Sequence, residues 1–345
     1  MNKKYLHISI GLAIIVLSLF YAFRGVQVAD LVNALLSVQY VYLLPAVFLV
    51  IISYLLRALR WRYFIRSIKD VKTSCLYSPL MVGFMANMLP ARAGEFIRAY
   101  LLSRKEQINF SASFATIIIE RFFDLILVLL LLMSVVFIMP HAFVSGTGSG
   151  EYQILDKVKV FGIVSFLLCF FILFFSVLLQ FKKDWSMKII GLIVKPFPRK
   201  WGQKIVGLAQ SFSDGLRIIR DKKGFFAAVL LSFAIWGTFV FTYYPLYLAF
   251  DIQSQLPVIS SLFILCLTVA IFITVAPTPG FLGSYHLGCV TALHGIFGID
   301  KATALSYGII AWLVAMGTTV VIGALFAIKE NISFGDISTV STREE

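Results

Sequence analysis

Charged side chains are scarce. Asp, Glu, Lys and Arg make up 14% of the 345 residues, against about 25% in ordinary soluble domains. Hydrophobic residues reach 60%, more apolar surface than one water-soluble core can hide, so a polytopic membrane protein is the starting class. A secreted soluble enzyme and a cytosolic dinucleotide-binding domain are excluded. Cysteine is scarce too: Cys75, Cys169, Cys266 and Cys289 stand apart with no CxxC spacing, which excludes a disulfide scaffold and reads as packing. There is no P-loop, no metal-binding His pair, no GxSxG and no loop Asp-x-Asp. ATP-driven transport by this chain alone is therefore not expected, and no catalytic residue, metal or cofactor is assigned. No stretch is left over for a separate soluble domain.

What charge there is has the wrong distribution for a nucleic-acid binder, despite a formal net charge of +13. Apolar runs near 6–23, 40–57, 112–139, 158–181, 225–250 and 303–328 are each long enough to span a hydrocarbon core needing about 20 residues. Lys and Arg then gather on alternate connections. Lys3 and Lys4, the group Arg57, Arg60, Arg62, Arg66, Lys69 and Lys72, then Arg92, Arg98, Arg104 and Lys105, the connection 182–223 and the tail place 25 of the 30 on one side. By the positive-inside rule both termini are cytoplasmic, and attraction to anionic headgroups is secondary. The first apolar run ends in Leu19-Phe-Tyr-Ala-Phe-Arg24 without a small-residue cleavage site, so it is expected to be a retained helix.

Two apolar stretches are broken. Ser74–Tyr100 breaks at Leu89-Pro90-Ala-Arg-Ala-Gly94, and Val258–Phe297 breaks at Ala276-Pro277-Thr-Pro-Gly280-Phe-Leu-Gly283. Proline removes an amide donor and glycine permits tight turns, and non-helical backbone survives at membrane depth only where protein or a wet cavity surrounds it. Broken segments at matching places in two halves point to a transporter's binding site. Each half here reads span, span, broken hairpin, span. The expected fold is thus an all-α polytopic membrane domain over 1–330 with six full spans and two re-entrant hairpins, the halves (about 5–140 and 157–330) forming an inverted-topology repeat. Ordinary kinked spans, giving eight crossings, stay open. Asp30–Val38 and Trp185–Arg220 read as helices lying in the inner interface, His141–Asp156 as an outer loop, and 331–345 as a polar cytoplasmic tail.

Ionisable groups within a span cost about 2.5–3.5 kcal/mol each on insertion scales and are functional candidates by default. Glu120, Arg121 and Asp124 sit together in the third span; Glu120 and Asp124 are i,i+4 and share a face, and Arg121 is i,i+3 from Asp124. They are expected to face the interior and to meet Arg92, Glu95 or Arg98 of the first hairpin, either as a packing network or as contacts to a polar headgroup. Around the first break, Asn87, Arg92, Glu95 and Arg98 cluster beside Gly94, where arginines and helix amides suit a phosphate. Around the second, Thr278, Gly280, Ser284, Tyr285 and His286 offer hydrogen-bonding groups and a backbone turn.

At these residues the chain resembles the family of the lysylphosphatidylglycerol synthase transmembrane region, the flippase-like part of the multiple peptide resistance factor, as a stand-alone member. The resemblance rests on Gly83-Phe-Met-Ala-Asn87-Met-Leu-Pro90-Ala-Arg92-Ala-Gly94-Glu95-Phe-Ile-Arg98, then Glu120-Arg121-Phe-Phe-Asp124, then Pro277-Thr-Pro-Gly280-Phe-Leu-Gly283. It implies an inner-membrane protein that translocates or handles polar lipids. His286 stands where many members carry Glu, and the aminoacyl-transferase domain of two-domain members is not matched, so lipid synthesis is not implied. Three functions stay open at this point: flipping or binding of a phospholipid or polyprenyl-linked headgroup, an enzyme or accessory factor of glycosyl- or aminoacyl-lipid synthesis, and small-solute transport. Lipid and membrane are the implied partners, nucleic acid is not, and self-association is open.

Overall fold

The structure, a computed structural model, describes residues 3–88, 93–138, 221–276 and 278–332, with isolated positions between 163 and 206. The expected span 158–181, outer loop, Trp185–Arg220 helix and polar tail lie wholly or almost wholly outside the described residues. Within them the chain is helical with no strand: α1 (Lys3–Phe23), α2 (Val28–Leu36), α3 (Leu43–Ile65), α4 (Thr73–Ala86), α5 (Gly94–Glu106), α6 (Phe110–Ile138), α7 (Lys222–Ala249), α8 (Val258–Val275), α9 (Ser284–Val290), α10 (Lys301–Trp312) and α11 (Thr318–Lys329). A wide turn at Leu313–Gly317 joins α10 and α11 into one rod. Asp300 caps α10, accepting a 3.0 Å bond from the Thr303 amide.

Among the described residues four rods are long and apolar enough to cross a membrane: Tyr40–Ile65, Lys222–Ala249, Val258–Val275 and Lys301–Lys329. The expected first span is present as the 21-residue α1, and its Ala13–Phe23 part meets α2 at a bend of 82°. The expected third span is present as the 29-residue α6, ~43 Å long at 1.5 Å per residue, and it carries its three charges mid-body. The first arm of the second expected hairpin, α8, is itself of spanning length.

Contacts sort the helix ends into two groups. At one end Gln39 N–H donates to Ala249 O at 2.9 Å, and Lys301 Nζ bonds the Arg24 carbonyl. At the other Lys69 Nζ pairs with Glu106 at 3.0 Å and Lys105 pairs with Glu330. The exposed α2 lies at the Arg24 end, its Leu31 carbonyl accepting from Ser306. That corrects its expected place: it lies across the bundle from the basic loop after α3, because α1 separates it from the N-terminal lysines.

Glycine decides the close packing. α4 and α5 double back on each other so tightly that a Cβ on Gly94 would fall 2.0 Å from Gly83 O and 2.5 Å from Asn87 Oδ1. α8 and α9 double back likewise, with a Gly288 Cβ 2.8 Å from Val269 Cα. The two breaks meet. Gly280 N–H points at Asn87 O, 3.4 Å away, a Cβ on Gly280 would strike Met88 Sδ at 2.5 Å, and Trp312 Nε1 donates to Gly280 O at 2.8 Å. At Gly280 and Gly283 φ is +59° and +84°, the left-handed region that favours glycine.

Partners pair across the halves. α3 packs along α7; α4 packs on α11 as α8 packs on α6; α5 packs on α6 as α9 packs on α10. Leu44, Phe48, Leu55 and Leu59 on α3 and Phe226, Leu230, Phe233 and Phe241 on α7 stay exposed, an apolar exterior suited to lipid.

Two glycines give opposite expectations. Gly94→Ala should destabilise the fold by about 1–3 kcal/mol through overpacking. Gly237→Ala, with open space around its Cβ in α7, should stabilise by about 0.5–1 kcal/mol. Thermal unfolding of the two variants in detergent checks the contrast.

Candidate functional site

α3 buries Val50, Tyr54, Arg57, Arg60, Trp61 and Phe64, a stripe at helical spacing opposite its exposed leucines. Arg57 and Arg60 had read as part of the basic connection after the second span. The structure corrects this: α3 continues to Ile65, both arginines lie inside it and face the core, and the exposed basic residues begin at Arg62. Their spacing held the signal, since Leu44, Phe48, Leu55 and Leu59 claim the outer face.

These arginines face Glu120 and Asp124 of α6. Arg60, fully buried, donates to Asp124 Oδ1 at 2.8 Å and to Ser232 Oγ of α7 at 2.9 Å, and its other nitrogen lies 3.3 Å from Glu120 Oε1. Arg98 of α5 donates to Glu120 Oε2 at 2.7 Å while its guanidinium stacks 3.7 Å over the Trp61 ring. Trp61 is held in turn by a 2.9 Å bond from its indole N–H to Thr116. Arg121 lies 2.8 Å from Glu95 and 3.2 Å from Asp124. Arg57 stands 3.8 Å from both Glu120 and Asp124 and lies between the Phe84 and Phe239 rings. Exposure is graded: the Glu120 and Arg60 side chains are at 0%, while Arg121 and Glu95 are at 37% and 34%. The network therefore has a sealed floor and an open edge.

Of the residues named from sequence, Glu95, Arg98, Glu120, Arg121 and Asp124 come together here. Asn87 sits at the first break with its carbonyl toward Gly280. Arg92, like Pro90 and Pro277, lies outside the described residues. The second-hairpin residues are held elsewhere. Thr278 Oγ1 bonds Leu282 O at 2.8 Å and lies 3.1 Å from Ser284 Oγ, so both serve their own turn. The Tyr285 hydroxyl lies 3.4 Å from that of Tyr243, and buried His286 lies beside Trp312. Among the described residues no cluster of His, Cys, Asp or Glu fits a metal ion.

A helical, multi-pass membrane protein with a charged network buried between its helices is the class defined by this fold and site. The chain belongs to the family described as the lysylphosphatidylglycerol synthase TM region, which matches residues 8–323. It is similar to a UPF0104 membrane protein of Methanothermobacter thermautotrophicus, 25% identical over 83% of this chain and 84% of that one. A UPF0104 membrane protein of Pyrococcus horikoshii is 23% identical over 95% and 97%. The glycosyltransferase AglD of Haloferax volcanii is 22% identical over 94% of this chain but 54% of its own length. No solved structure matches.

Removing one partner from a buried pair leaves an uncompensated charge and costs about 3–5 kcal/mol. Glu120→Gln, which strips Arg98 and Arg60 of their shared counter-charge, is expected to fall in that range. Glu95→Gln, on a partly exposed pair, should stay within about 1 kcal/mol. Chemical denaturation in micelles separates the two.

Proposed function

We propose that the protein moves a polar lipid headgroup across the cytoplasmic membrane, with both termini in the cytoplasm. The observation that carries this is a network of Arg57, Arg60, Arg98 and Arg121 against Glu95, Glu120 and Asp124, sealed inside the bundle and open at Arg121 and Glu95. Mid-membrane charge of this density costs several kcal/mol and is kept where a polar cargo must be received. The headgroup enters along the Arg121 edge while its acyl chains remain in the bilayer.

The packing supports an inverted repeat for this work. Exchanging the halves turns α4–α11 into α8–α6 and α5–α6 into α9–α10, and leaves α3–α7 and the Asn87–Gly280 contact in place. The hairpins α4–α5 and α8–α9 then enter from opposite membrane faces and meet at their tips. Separation of those tips would open a path from one side to the other, which is the alternating-access geometry of repeat-built transporters. The sequence likeness to AglD, named a glycosyltransferase, supports a second reading, in which the chain serves glycosyl-lipid synthesis as an accessory or enzyme.

Vesicles containing the purified protein and a headgroup-labelled phospholipid test the choice. Translocation should exceed that of empty vesicles at least about tenfold, and Arg121→Ala should remove most of the gain, the loss expected for a charge-assisted contact. Unchanged transport in Arg121→Ala would reject the site. A new covalent lipid product seen by mass spectrometry would favour the second reading.

A further inference from the structure

The cations in the network are unequally occupied. Arg60 and Arg98 each make a carboxylate hydrogen bond of normal length, at 2.8 and 2.7 Å. Arg121 has Glu95 at 2.8 Å and Asp124 at 3.2 Å. Those three account for the three carboxylates, one cation for each. Arg57 approaches no carboxylate nearer than 3.8 Å, beyond hydrogen-bond reach. Its Nε and Nη1 are buried without a hydrogen-bond partner, as are single nitrogens or pairs on Arg60, Arg98 and Arg121. Arg57 alone of the four also lacks a short carboxylate contact, and its side chain is 7% exposed. Phe239 at 4.8 Å and Phe84 at 5.4 Å hold the guanidinium by their ring faces, which orients a cation without neutralising it. Among the described residues four positive groups thus face three negative ones, and two buried donors of Arg57 are left unspent.

We propose that Arg57 is the anion-receiving group of this site, and that its ligand is a phosphate monoanion of the phosphodiester type. One negative charge makes the network neutral, and a guanidinium edge matches two phosphate oxygens side by side. Asp124 Oδ2 marks the way in: Arg121, at the open edge, donates to it at 3.2 Å, and Arg57 waits on the same oxygen at 3.8 Å. An arriving phosphate replaces these long Arg57 contacts rather than breaking a short one. The inference rests on the headgroup reading above and gives it a charge class and a specificity residue.

The aromatic slot also sets a signature that a packing role would not give. Arg57→Gln leaves three cations against three carboxylates, so the ligand-free variant should melt at the wild-type temperature or above it. The measurement is the thermal midpoint of the full-length protein in a neutral detergent, titrated with phosphatidylglycerol, with a neutral glucosyl-diacylglycerol and with inorganic phosphate. Wild type should be stabilised by phosphatidylglycerol and not by the neutral glycolipid. Arg57→Gln should need at least about tenfold more phosphatidylglycerol for the same shift, the loss of one charge-assisted hydrogen bond, and Arg57→Lys should fall between. A ligand-free midpoint that drops in Arg57→Gln, with the phosphatidylglycerol titration unchanged, overturns the proposal. Inorganic phosphate reproducing the full shift overturns the lipid source. Arg57-dependent lipid binding without transport in vesicles would reject translocation and keep the anion site; transport that ignores Arg57 would do the reverse.

Discussion

Glu120 and Asp124 cannot be carried through a bilayer alone, and most of the described architecture around the site answers to that constraint. Lying one turn apart on α6, they draw Arg57 and Arg60 from α3, Arg98 from α5 and Arg121 from their own helix. Ser232 adds α7 to the same network through Arg60. Transmembrane helices gain little from apolar contact with one another, because lipid tails are equally apolar. Directional ionic contacts therefore set which helices stand together and in which register. Phe84, Trp61 and Phe239 complete the arrangement by lending ring faces to guanidinium groups that water cannot solvate.

The two halves share a plan but not a chemistry. α4–α5 and α8–α9 are both tight hairpins closed at glycine and joined at Asn87 and Gly280. Among the described residues all the charge of the network lies on α3, α5 and α6, with α7 contributing a hydroxyl. The second hairpin offers Thr278 and Ser284, spent on its own turn, and buried Tyr285, whose hydroxyl faces that of Tyr243 on α7. The first hairpin with α3 and α6 therefore holds the charged network, and the second hairpin packs its tip against the first at Asn87 and Gly280.

Much of this was legible beforehand. The helical class, the spans near 40–57, 225–250 and 303–328 (the first continuing to Ile65 in the structure), the two breaks and the meeting of Glu95, Arg98, Glu120, Arg121 and Asp124 follow from apolar run length, Pro and Gly placement and i,i+4 spacing. Arg57 and Arg60 were misplaced because charge near a span end satisfies the positive-inside rule as readily as it satisfies a buried network. Only the stripe of Val50, Tyr54, Trp61 and Phe64 argues for the interior, and it is weak beside six basic residues in a row of sixteen. Thr278 and Ser284 were grouped with the site because a broken helix advertises free polar groups without saying which of them the turn itself consumes.

Composition and spacing were enough to determine that the chain enters a membrane, where its helices break, and that carboxylates and arginines on one face must find counter-charges. These are local consequences of the cost of exposing backbone and charge to hydrocarbon. Which arginine answers which carboxylate, which one is left over between two rings, and where the two breaks touch are decided only by tertiary structure. Each depends on the distance and angle between helices far apart in the chain, and electrostatic energy at 2.8 Å and at 3.8 Å differs in kind, since only the nearer is a hydrogen bond.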